Sequence, residues 1–386
     1  MRKTDPYPIL EARIRSGAYQ HGTWLAPERE LADELGVHRH AIRRAVARLA
    51  DAGLLERRVG HRPIVRGPAG EALALRSAAL LMGNEPLFHG FQPVLRGCGQ
   101  EFRTAGYGLI YVDTRGHAGQ SAREVERRAI ENLLEQPVAG VIIWCQDPAN
   151  SAPLLEKLKD AGTPIVAIDR LVNGVETDFV GVENFSATEV AVRHLWELGH
   201  QRIGMVTLSE ESSPVQEREA GFRAALERLC LPCDERFIFR LPEGPEEDAA
   251  YVAEVVESLR TMRERPTALL TINDIIAWRL VQHLGAAGLR VPEDVAVVGF
   301  DDLEANTMHR PVLTTIRQPH EGFGRHAARL LLRRLNSPIA PFRHVLLDTS
   351  LIIRATTVAG ARPDPQRPAG AWTGIDLPFQ MRAKLL

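Results

Sequence analysis

The stretch WLAPERELADELGVHRHAIRRAVARLADAGLLERRVGHRPIVR, residues 24–66, decides how the amino-terminal part of the chain folds. Its pattern predicts two short helices joined by a tight turn at Gly36, followed by a β-ribbon whose turn contains Gly60. The second helix, about 38–52, is expected to bury an apolar face. That face consists of Ile42, Ala45, Val46 and Leu49, which recur at helical spacing.

The opposite face of this second helix is basic and carries Arg39, His40, Arg43, Arg44 and Arg48. A short helix with an apolar seam and a guanidinium-rich outer face suits the major groove of DNA. Any exposed helix can be basic, but here the basic face coincides with a turn and a β-ribbon. An earlier helix over 8–16 and a Pro27 at the first helical position complete a winged helix-turn-helix pattern.

Charge is distributed unevenly along the chain. Of 386 residues, 45% are hydrophobic and 25% charged, which is ordinary for a globular protein, and the formal net charge is −2. Residues 1–66 contain 13 Lys and Arg against 8 Asp and Glu, whereas the remainder contains 34 against 41. A basic head on an acidic body is the pattern expected of a DNA-binding module joined to a sensor domain.

Several other classes of protein find little support. No apolar run reaches the roughly 18 residues of a membrane span, and residues 1–17 carry charges throughout, so we expect a cytoplasmic protein without a secretory signal. The CxxC pair Cys230 and Cys233 ends a predicted helix and lacks further ligands, which favours an incidental loop over a redox or zinc site. The absence of G-x-S-x-G and phosphate-loop motifs leads us to expect neither an enzyme nor a cofactor.

The head resembles the GntR-type winged helix over about 60 residues, from IRSGAYQHGTWLAPERELADELG through VHRHAIRRAVARLADAGLLERRVG. The resemblance implies DNA contacts by the arginine of the E-R pair and by two arginines of the recognition helix, here Arg29, Arg39 and Arg43. His40, Arg44, Gly60 and His61 are further candidates. His38 replaces the usual Ser or Thr N-cap, which removes a capping bond typically worth about 1 kcal/mol.

Residues 67–77 form an expected linker, and from residue 78 onward apolar runs alternate with amphipathic segments, which predicts parallel, doubly wound sheets. The predicted strands are 78–82, 107–113, 139–144, 164–169, 202–208, 268–272 and 295–300. The predicted helices are 90–104, 121–135, 151–161, 186–198, 216–229, 249–262 and 274–287. Two such sheets make a two-lobed body with a cleft between the lobes.

The body resembles the effector domain of the lactose/galactose repressor (LacI/GalR) family, which shares the fold of periplasmic sugar-binding proteins. The motifs that carry this resemblance are GTPIVAIDR, VGVENFSATEVAVRHLWELGHQRIGMV, REAGFRAAL, LLTINDIIAWRLVQHLGAAGLRVPEDVAVVGFDDLE and PVLTTIRQPHEGFGRHAARLLLRRL. We therefore expect a DNA-binding head at 1–66, a ligand-binding and dimerising body at 78–358, and a carboxyl-terminal tail at 359–386. The expected lobes are 78–180 with 317–340, and 181–312 with 343–358.

Ligands of open α/β sheets bind beyond the carboxyl ends of the strands, where this sequence places Asp169, Asn273 and Asp301. The resemblance implies that Arg218, Asn273 and Asp301 bind the ligand, with Asp169 contributing from the other lobe. Each could instead cap a helix or brace a loop. The aromatic candidates for stacking on a sugar ring are Phe88, Trp144 and Phe300.

The sequence thus indicates a dimeric transcriptional regulator, most simply a repressor, whose affinity for operator DNA depends on a small molecule in the cleft. A sugar is the expected effector, and a nucleobase or nucleoside is the alternative. A solute-binding protein for sugar transport is the alternative from another class, against which the basic head and the missing secretory signal argue.

Overall fold

The computed structural model describes residues 5–15, 19, 23–57, 62–65, 77–83, 90–116, 119–210, 212–242, 248–303 and 312–358. The head contains the helices α1 (Pro6–Arg15), α2 (Glu28–Leu35) and α3 (Arg39–Asp51) and the antiparallel strands β1 (Leu55–Glu56) and β2 (Ile64–Val65). The predicted winged helix-turn-helix is therefore confirmed, although Gly60 and His61 at the expected tip of the wing lie outside the described residues.

The core of the head forms where helical spacing predicts it. Ile42, Ala45, Val46 and Leu49 are all buried against α1, α2 and the hairpin. Gly36 ends α2 with a φ of +62°, a left-handed conformation that glycine adopts without steric cost. Pro27 occupies the N-cap of α2 rather than its first helical position, and the N-cap residue His38 of α3 forms no side-chain capping bond.

The first lobe contains a six-stranded, fully parallel sheet in the order β13-β7-β6-β5-β3-β4. Its strands are β3 (Ser77–Met82), β4 (Gly108–Asp113), β5 (Gly140–Ile143), β6 (Ile165–Ile168), β7 (Asp178–Val182) and β13 (His344–Leu347). Its helices are α4 (Phe91–Thr104), α5 (Ala122–Glu135), α6 (Pro148–Asp160) and α11 (His320–Asn336). Alternate side chains of β3 enter two separate apolar cores, so both faces of this sheet are covered.

The second lobe contains a six-stranded sheet in the order β14-β12-β11-β10-β8-β9. Its strands are β8 (Ile203–Leu208), β9 (Ile238–Leu241), β10 (Ala268–Thr271), β11 (Ala296–Asp301), β12 (Thr314–Arg317) and β14 (Ser350–Ile352). Its helices are α7 (Asn184–Glu197), α8 (Ser213–Arg228), α9 (Asp248–Thr261) and α10 (Asp274–Ala286). The edge strand β14 runs antiparallel to β12, so this sheet is mixed rather than wholly parallel as expected.

Three short segments carry the chain between the lobes, and they correct the expected boundaries. The chain passes from β7 to α7 at 183, from β12 to α11 at 318–319, and from β13 to β14 at 348–349. We expected 343–358 to lie wholly in the second lobe. Instead, β13 pairs with β7 of the first lobe, because the chain returns to the second lobe only after β13. We call these three segments the first, second and third crossovers.

Helix α11 was not among the predicted helices, since glycines interrupt its first turns. The structure explains them: a Cβ at Gly324 would lie 2.0 Å from the carbonyl oxygen of Val94, and one at Gly97 would lie 2.2 Å from that of Glu321. The two glycines let α4 and α11 pack with their backbones almost in contact. Within the described residues, no helix is long and apolar enough to cross a membrane.

Candidate functional site

The outer face of α3 presents a cluster of exposed cationic side chains. The predicted DNA-contacting residues Arg39, His40, Arg43 and Arg44 are all exposed there, and Arg29 is exposed on α2. Because α3 buries its apolar face against the other elements of the head, this basic face is directed to solvent. The cluster has the charge and accessibility that a nucleic-acid backbone requires.

One carboxylate lies within this basic cluster. Glu28, in the first turn of α2, accepts hydrogen bonds from Nε (3.3 Å) and Nη2 (2.9 Å) of Arg43, and Arg39 lies 3.9 Å away. Arg48 instead pairs with Asp5 at 2.9 Å and stacks over Tyr7, so it faces α1 rather than the open side of α3. Exposed pairs of this kind are weak, which leaves Arg39 and Arg43 able to exchange Glu28 for a phosphate or a base.

A cavity of about 180 Å³ lies between the two lobes, at the carboxyl ends of their strands. Its volume is below the roughly 300–1,000 Å³ typical of sites for drug-sized ligands, so it suits a molecule with one small ring. The lining includes Gly83, Trp144, Gln146, Asp169 and Arg170 from the first lobe and Glu210, Ser212, Arg218, Asn273, Asp301 and Gln318 from the second lobe and its crossover.

Arg218 is the central cation of this cavity, and its position is tightly fixed. It extends from α8 and is only 6% exposed. Its Nε donates to Oδ1 of Asn184 at 2.8 Å, its Nη1 donates to the carbonyl oxygen of Ile272 at 2.5 Å, and its guanidinium lies 3.6 Å from the centre of the Phe300 ring. These contacts engage Nε, Nη1 and one face of the guanidinium of a residue that also lines the cavity.

Asp301 is the anion nearest to Arg218. Its Oδ1 lies 4.0 Å from Nη1 of Arg218 and accepts a 2.6 Å hydrogen bond from Nε2 of Gln318. Burial raises the pKa of Asp301 to about 7, against the opposing effect of the Arg218 charge. Asp301 also has a φ of +116°, which an L-residue rarely adopts and which turns the chain at the end of β11. Strained backbone of this type is concentrated at functional sites.

Asp169 and Asn273 complete the set of predicted polar residues. Asp169 follows β6 with a φ of +64° and is 7% exposed. Burial raises its pKa, and its Oδ1 is buried without a hydrogen-bond partner in the described part of the chain. Asn273 caps α10, since its Oδ1 accepts from the backbone N–H of Ile276 at 2.9 Å. Its capping role is therefore observed, and the residue also lines the cavity.

The three aromatic candidates for stacking on the ligand differ in where they lie. Trp144 lies at the cavity wall and stacks near His320, with ring centroids 6.4 Å apart. Phe300 was expected to present its face to a ligand, and the structure contradicts this. Its side chain is fully buried and its ring supports the guanidinium of Arg218, so no ligand can reach that face. Phe88 lies outside the described residues.

Several polar residues that were not predicted as ligand contacts also line the cavity. They are Gln146, Arg170, Glu210, Ser212 and Gln318. Arg170 of the first lobe lies 3.3 Å from Glu210 of the second, so the lobes are joined by an ion pair at the cavity. Each of these residues follows a strand end in sequence, which is the signal that could have identified them.

The polar side chains of the cavity include both hydrogen-bond donors and hydrogen-bond acceptors. In the described part of the chain, no group of three or more His, Cys, Asp or Glu is arranged to hold a metal ion. Carboxylate, amide and guanidinium groups together can pair a hydroxyl both as donor and as acceptor. The arrangement is thus that of a binding site for a small polar molecule.

Comparison with known proteins agrees with both halves of the chain. Residues 7–65 match the model of bacterial regulatory proteins of the gntR family, and residues 192–357 match a periplasmic binding protein-like domain. The HTH-type transcriptional repressor PurR of Aliivibrio salmonicida is 31% identical over 245 residues, which cover 64% of this chain and 71% of the relative. PurR of Vibrio parahaemolyticus is 31% identical over 272 residues, covering 69% and 77%.

A solved structure gives the same result. The putative ribose operon repressor of Burkholderia thailandensis superposes with a TM-score of 0.61 at 27% identity, over 72% of this chain and 99% of that one. These relatives are transcriptional repressors rather than enzymes, and a transport function is not favoured. The chain therefore belongs to the LacI/PurR family of transcriptional repressors, DNA-binding regulators controlled by a small-molecule effector, and combines that family's effector domain with a GntR-type head.

Proposed function

We propose that the effector is a small, uncharged sugar, bound in the cavity between the lobes by Arg218, Asp301, Asp169 and Asn273, with Trp144 against one face. The observation that carries this proposal is a pair of buried acceptors without partners among the described residues, Oδ1 of Asp169 and Oε1 of Gln318. A buried acceptor without a donor is costly, and hydroxyl groups supply donors.

The charges around the cavity favour an uncharged ligand. Arg170 already faces Glu210, and Arg218 already faces Asp301, so neither guanidinium needs an anionic group to balance it. A planar nucleobase would favour aromatic surfaces on both of its faces, and among the described residues Trp144 is the one aromatic side chain in the lining. The resemblance to a putative ribose operon repressor supports the same ligand class.

On the DNA side, we propose that Arg29, Arg39, His40, Arg43 and Arg44 contact the operator, with Gly60 and His61 at the wing. The body (about 78–358) would dimerise and place two heads on half-sites about 34 Å apart, one turn of DNA. The head would comprise residues 1–66, followed by the linker. A protein that regulates transcription in this way acts in the cytoplasm and needs no catalysis.

A thermal-shift screen tests the effector. The full chain is heated with D-ribose, L-arabinose, D-galactose or cellobiose and, separately, with adenine, guanine or hypoxanthine. A ligand present at 100 times its Kd stabilises the folded state by about 2.7 kcal/mol, which raises the melting temperature by several degrees. We expect a sugar to do this and Arg218→Ala to abolish the shift. Stabilisation by a nucleobase and by no sugar would contradict the proposal.

A further inference from the structure

We propose that Asn184 and Gln318 are positioning residues that join the two charged groups facing the effector to two of the crossovers between the lobes. The inference rests on the proposed function, in which Arg218 and Asp301 contact the effector. It adds a route from the cavity to the segments that link the two lobes.

Asn184 lies directly at the first crossover. Strand β7 of the first lobe ends at Val182, and Asn184 is the first residue of α7, which packs within the second lobe. The side chain is only 2% exposed and is not part of the cavity lining. Asn184 therefore acts on a ligand through another residue and not by touching it.

The side chain of Asn184 is hydrogen-bonded to Arg218 and to its neighbour Glu217. Its Oδ1 accepts the 2.8 Å hydrogen bond from Nε of Arg218, and its Nδ2 donates to Oε2 of Glu217 at 2.9 Å. Both partners are on α8, 33 and 34 residues further along the chain. The amide is thus fixed at both ends, so a displacement of the guanidinium must also displace the first residue after the crossover.

Gln318 has the corresponding position in the second crossover, between β12 and α11. Its Nε2 donates to Oδ1 of Asp301 at 2.6 Å, and its backbone N–H donates to the carbonyl oxygen of Asp301 at 3.2 Å. Its Oε1 is the buried acceptor without a partner among the described residues. Gln318 is therefore held to Asp301 at two points and has one atom available to a ligand hydroxyl.

The two pairs have the same construction. In each, a charged residue at the cavity is bonded to an amide side chain that lies in a crossover, as Gln318 does, or directly after one, as Asn184 does. Rigid, buried hydrogen bonds transmit small displacements because a packed interior cannot absorb them. Effector binding at Arg218 and Asp301 thereby displaces the residues at the first and second crossovers.

Amide hydrogen exchange of the full chain without ligand tests the first pair. Asn184→Ala and Arg218→Met should each accelerate exchange in peptides covering 180–190 by roughly 2- to 30-fold, the range that couplings within networks produce. The double variant should exchange no faster there than Arg218→Met alone, since both substitutions remove the same hydrogen bond between Arg218 and Asn184. Additive acceleration would overturn the assignment.

Two controls separate positioning from general loss of structure. Glu217→Ala removes the other bond of Asn184 and should accelerate exchange at 180–190 less than Arg218→Met does, because the bond to the guanidinium remains. The pair Asn184→Asp with Glu217→Gln exchanges donor and acceptor roles while keeping both bonds, so it should restore slow exchange. Failure of this rescue in a protein whose β5 peptides exchange normally would also contradict the proposal.

A second arm adds ligand, with D-ribose and D-galactose as probes. In the wild type, a bound sugar should slow exchange at 180–190 and 315–321. Gln318→Met removes an acceptor that faces the sugar and should weaken binding, so each protein is compared at a sugar concentration that saturates it in the thermal-shift assay. Under saturation, Gln318→Met should abolish the slowing at 315–321 and retain that at 180–190. If Gln318→Met leaves both unchanged, the assignment of Gln318 is wrong. If neither probe nor any sugar of the thermal screen binds, the sugar proposal fails, whereas the ligand-free test of Asn184 stands on its own.

Discussion

Two arginines, Arg43 on the head and Arg218 in the cavity, face carboxylates in opposite surroundings. Arg43 is about 59% exposed and pairs with Glu28 in open solvent. The side chain of Arg218 is about 7% exposed, is bonded to an amide and a backbone carbonyl, and lies against the buried ring of Phe300. In the head, the arginine can therefore exchange its carboxylate for another partner. In the body, the position of the arginine is fixed.

This difference follows from the cost of removing charges from water. An exposed ion pair contributes about 0–1 kcal/mol, so Arg43 can leave Glu28 for DNA at little cost. A buried guanidinium must be satisfied by its surroundings, and its removal leaves the neighbouring carboxylates without compensation. The head is accordingly built for exchange of partners and the cavity for a fixed geometry.

The largest effect is expected for Arg218→Ala. The change should eliminate the response to effector and destabilise the body by about 3 kcal/mol, because Asp301 and Asp169 lose their counter-charge. Urea unfolding measures the stability. The loss of stability should be smaller at pH 6 than at pH 8, because a protonated Asp301 carries no charge that needs compensation. An unaltered effector response would remove Arg218 from the site.

The next effect is that of Arg43→Ala on DNA binding. A lost bidentate contact to a base weakens operator binding by about 1–3 kcal/mol, while effector affinity and stability should not change. Arg39→Ala should act similarly. Arg48→Ala is the matched control on the same helix, since Arg48 pairs with Asp5 on the other side. Fluorescence anisotropy with a labelled operator gives the affinities, and full retention of affinity in both Arg39 and Arg43 variants would refute the recognition-helix assignment.

A smaller effect concerns the dependence of stability on pH. The pKa of Asp301 is raised to about 7 in the folded protein, so the folded state binds a proton that the unfolded state has released between pH 4 and 7. Stability from this group is full below about pH 4 and is lost as the pH rises through 7.

The variant Asp301→Asn isolates this contribution. Asparagine keeps the acceptor for Gln318 and has nearly the shape of aspartate, so the strain of the positive φ is similar in the two proteins. Its melting temperature should therefore fall less between pH 5 and 8 than that of the wild type, as measured by differential scanning calorimetry. Identical pH profiles for the two proteins would show that Asp301 does not titrate in this range.

The smallest effect is expected for Glu28→Gln, the counterpart of the Arg218 change in the head. The pair with Arg43 is exposed, so the stability of the protein should change by less than about 1 kcal/mol. Thermal unfolding of the wild type and the variant provides the measurement. A loss as large as that of Arg218→Ala would remove the distinction between an exchangeable and a fixed arginine.

Local patterns in the sequence predicted most of the fold. Helical spacing identified the buried face of α3, and all seven predicted strands form, because a run of apolar residues between turn signals is a local property. Strands β7, β9, β12, β13 and β14 were not predicted. Strand β13, for example, alternates exposed with half-buried residues and buries none of them, and its pairing with β7 joins residues far apart in the chain.

The site was predictable only in part. The ends of strands indicated Asp169, Asn273 and Asp301, and resemblance indicated Arg218, all of which the structure places at one cavity. Phe300 was wrongly selected, because an aromatic residue at the end of a strand gives no sign of which side covers its ring. Asn184 and Gln318 were missed because their contacts with Arg218 and Asp301 span 34 and 17 residues.

The most direct test measures operator affinity of the full chain with and without the sugar that the thermal screen selects, in wild type and in Arg218→Ala. The duplex is first selected from a random library by the wild-type protein. We predict that the sugar changes wild-type affinity by about 5- to 150-fold, the range of common allosteric couplings, and leaves Arg218→Ala unaffected. An equal sugar response in the two proteins would show that control of DNA binding does not pass through this cavity.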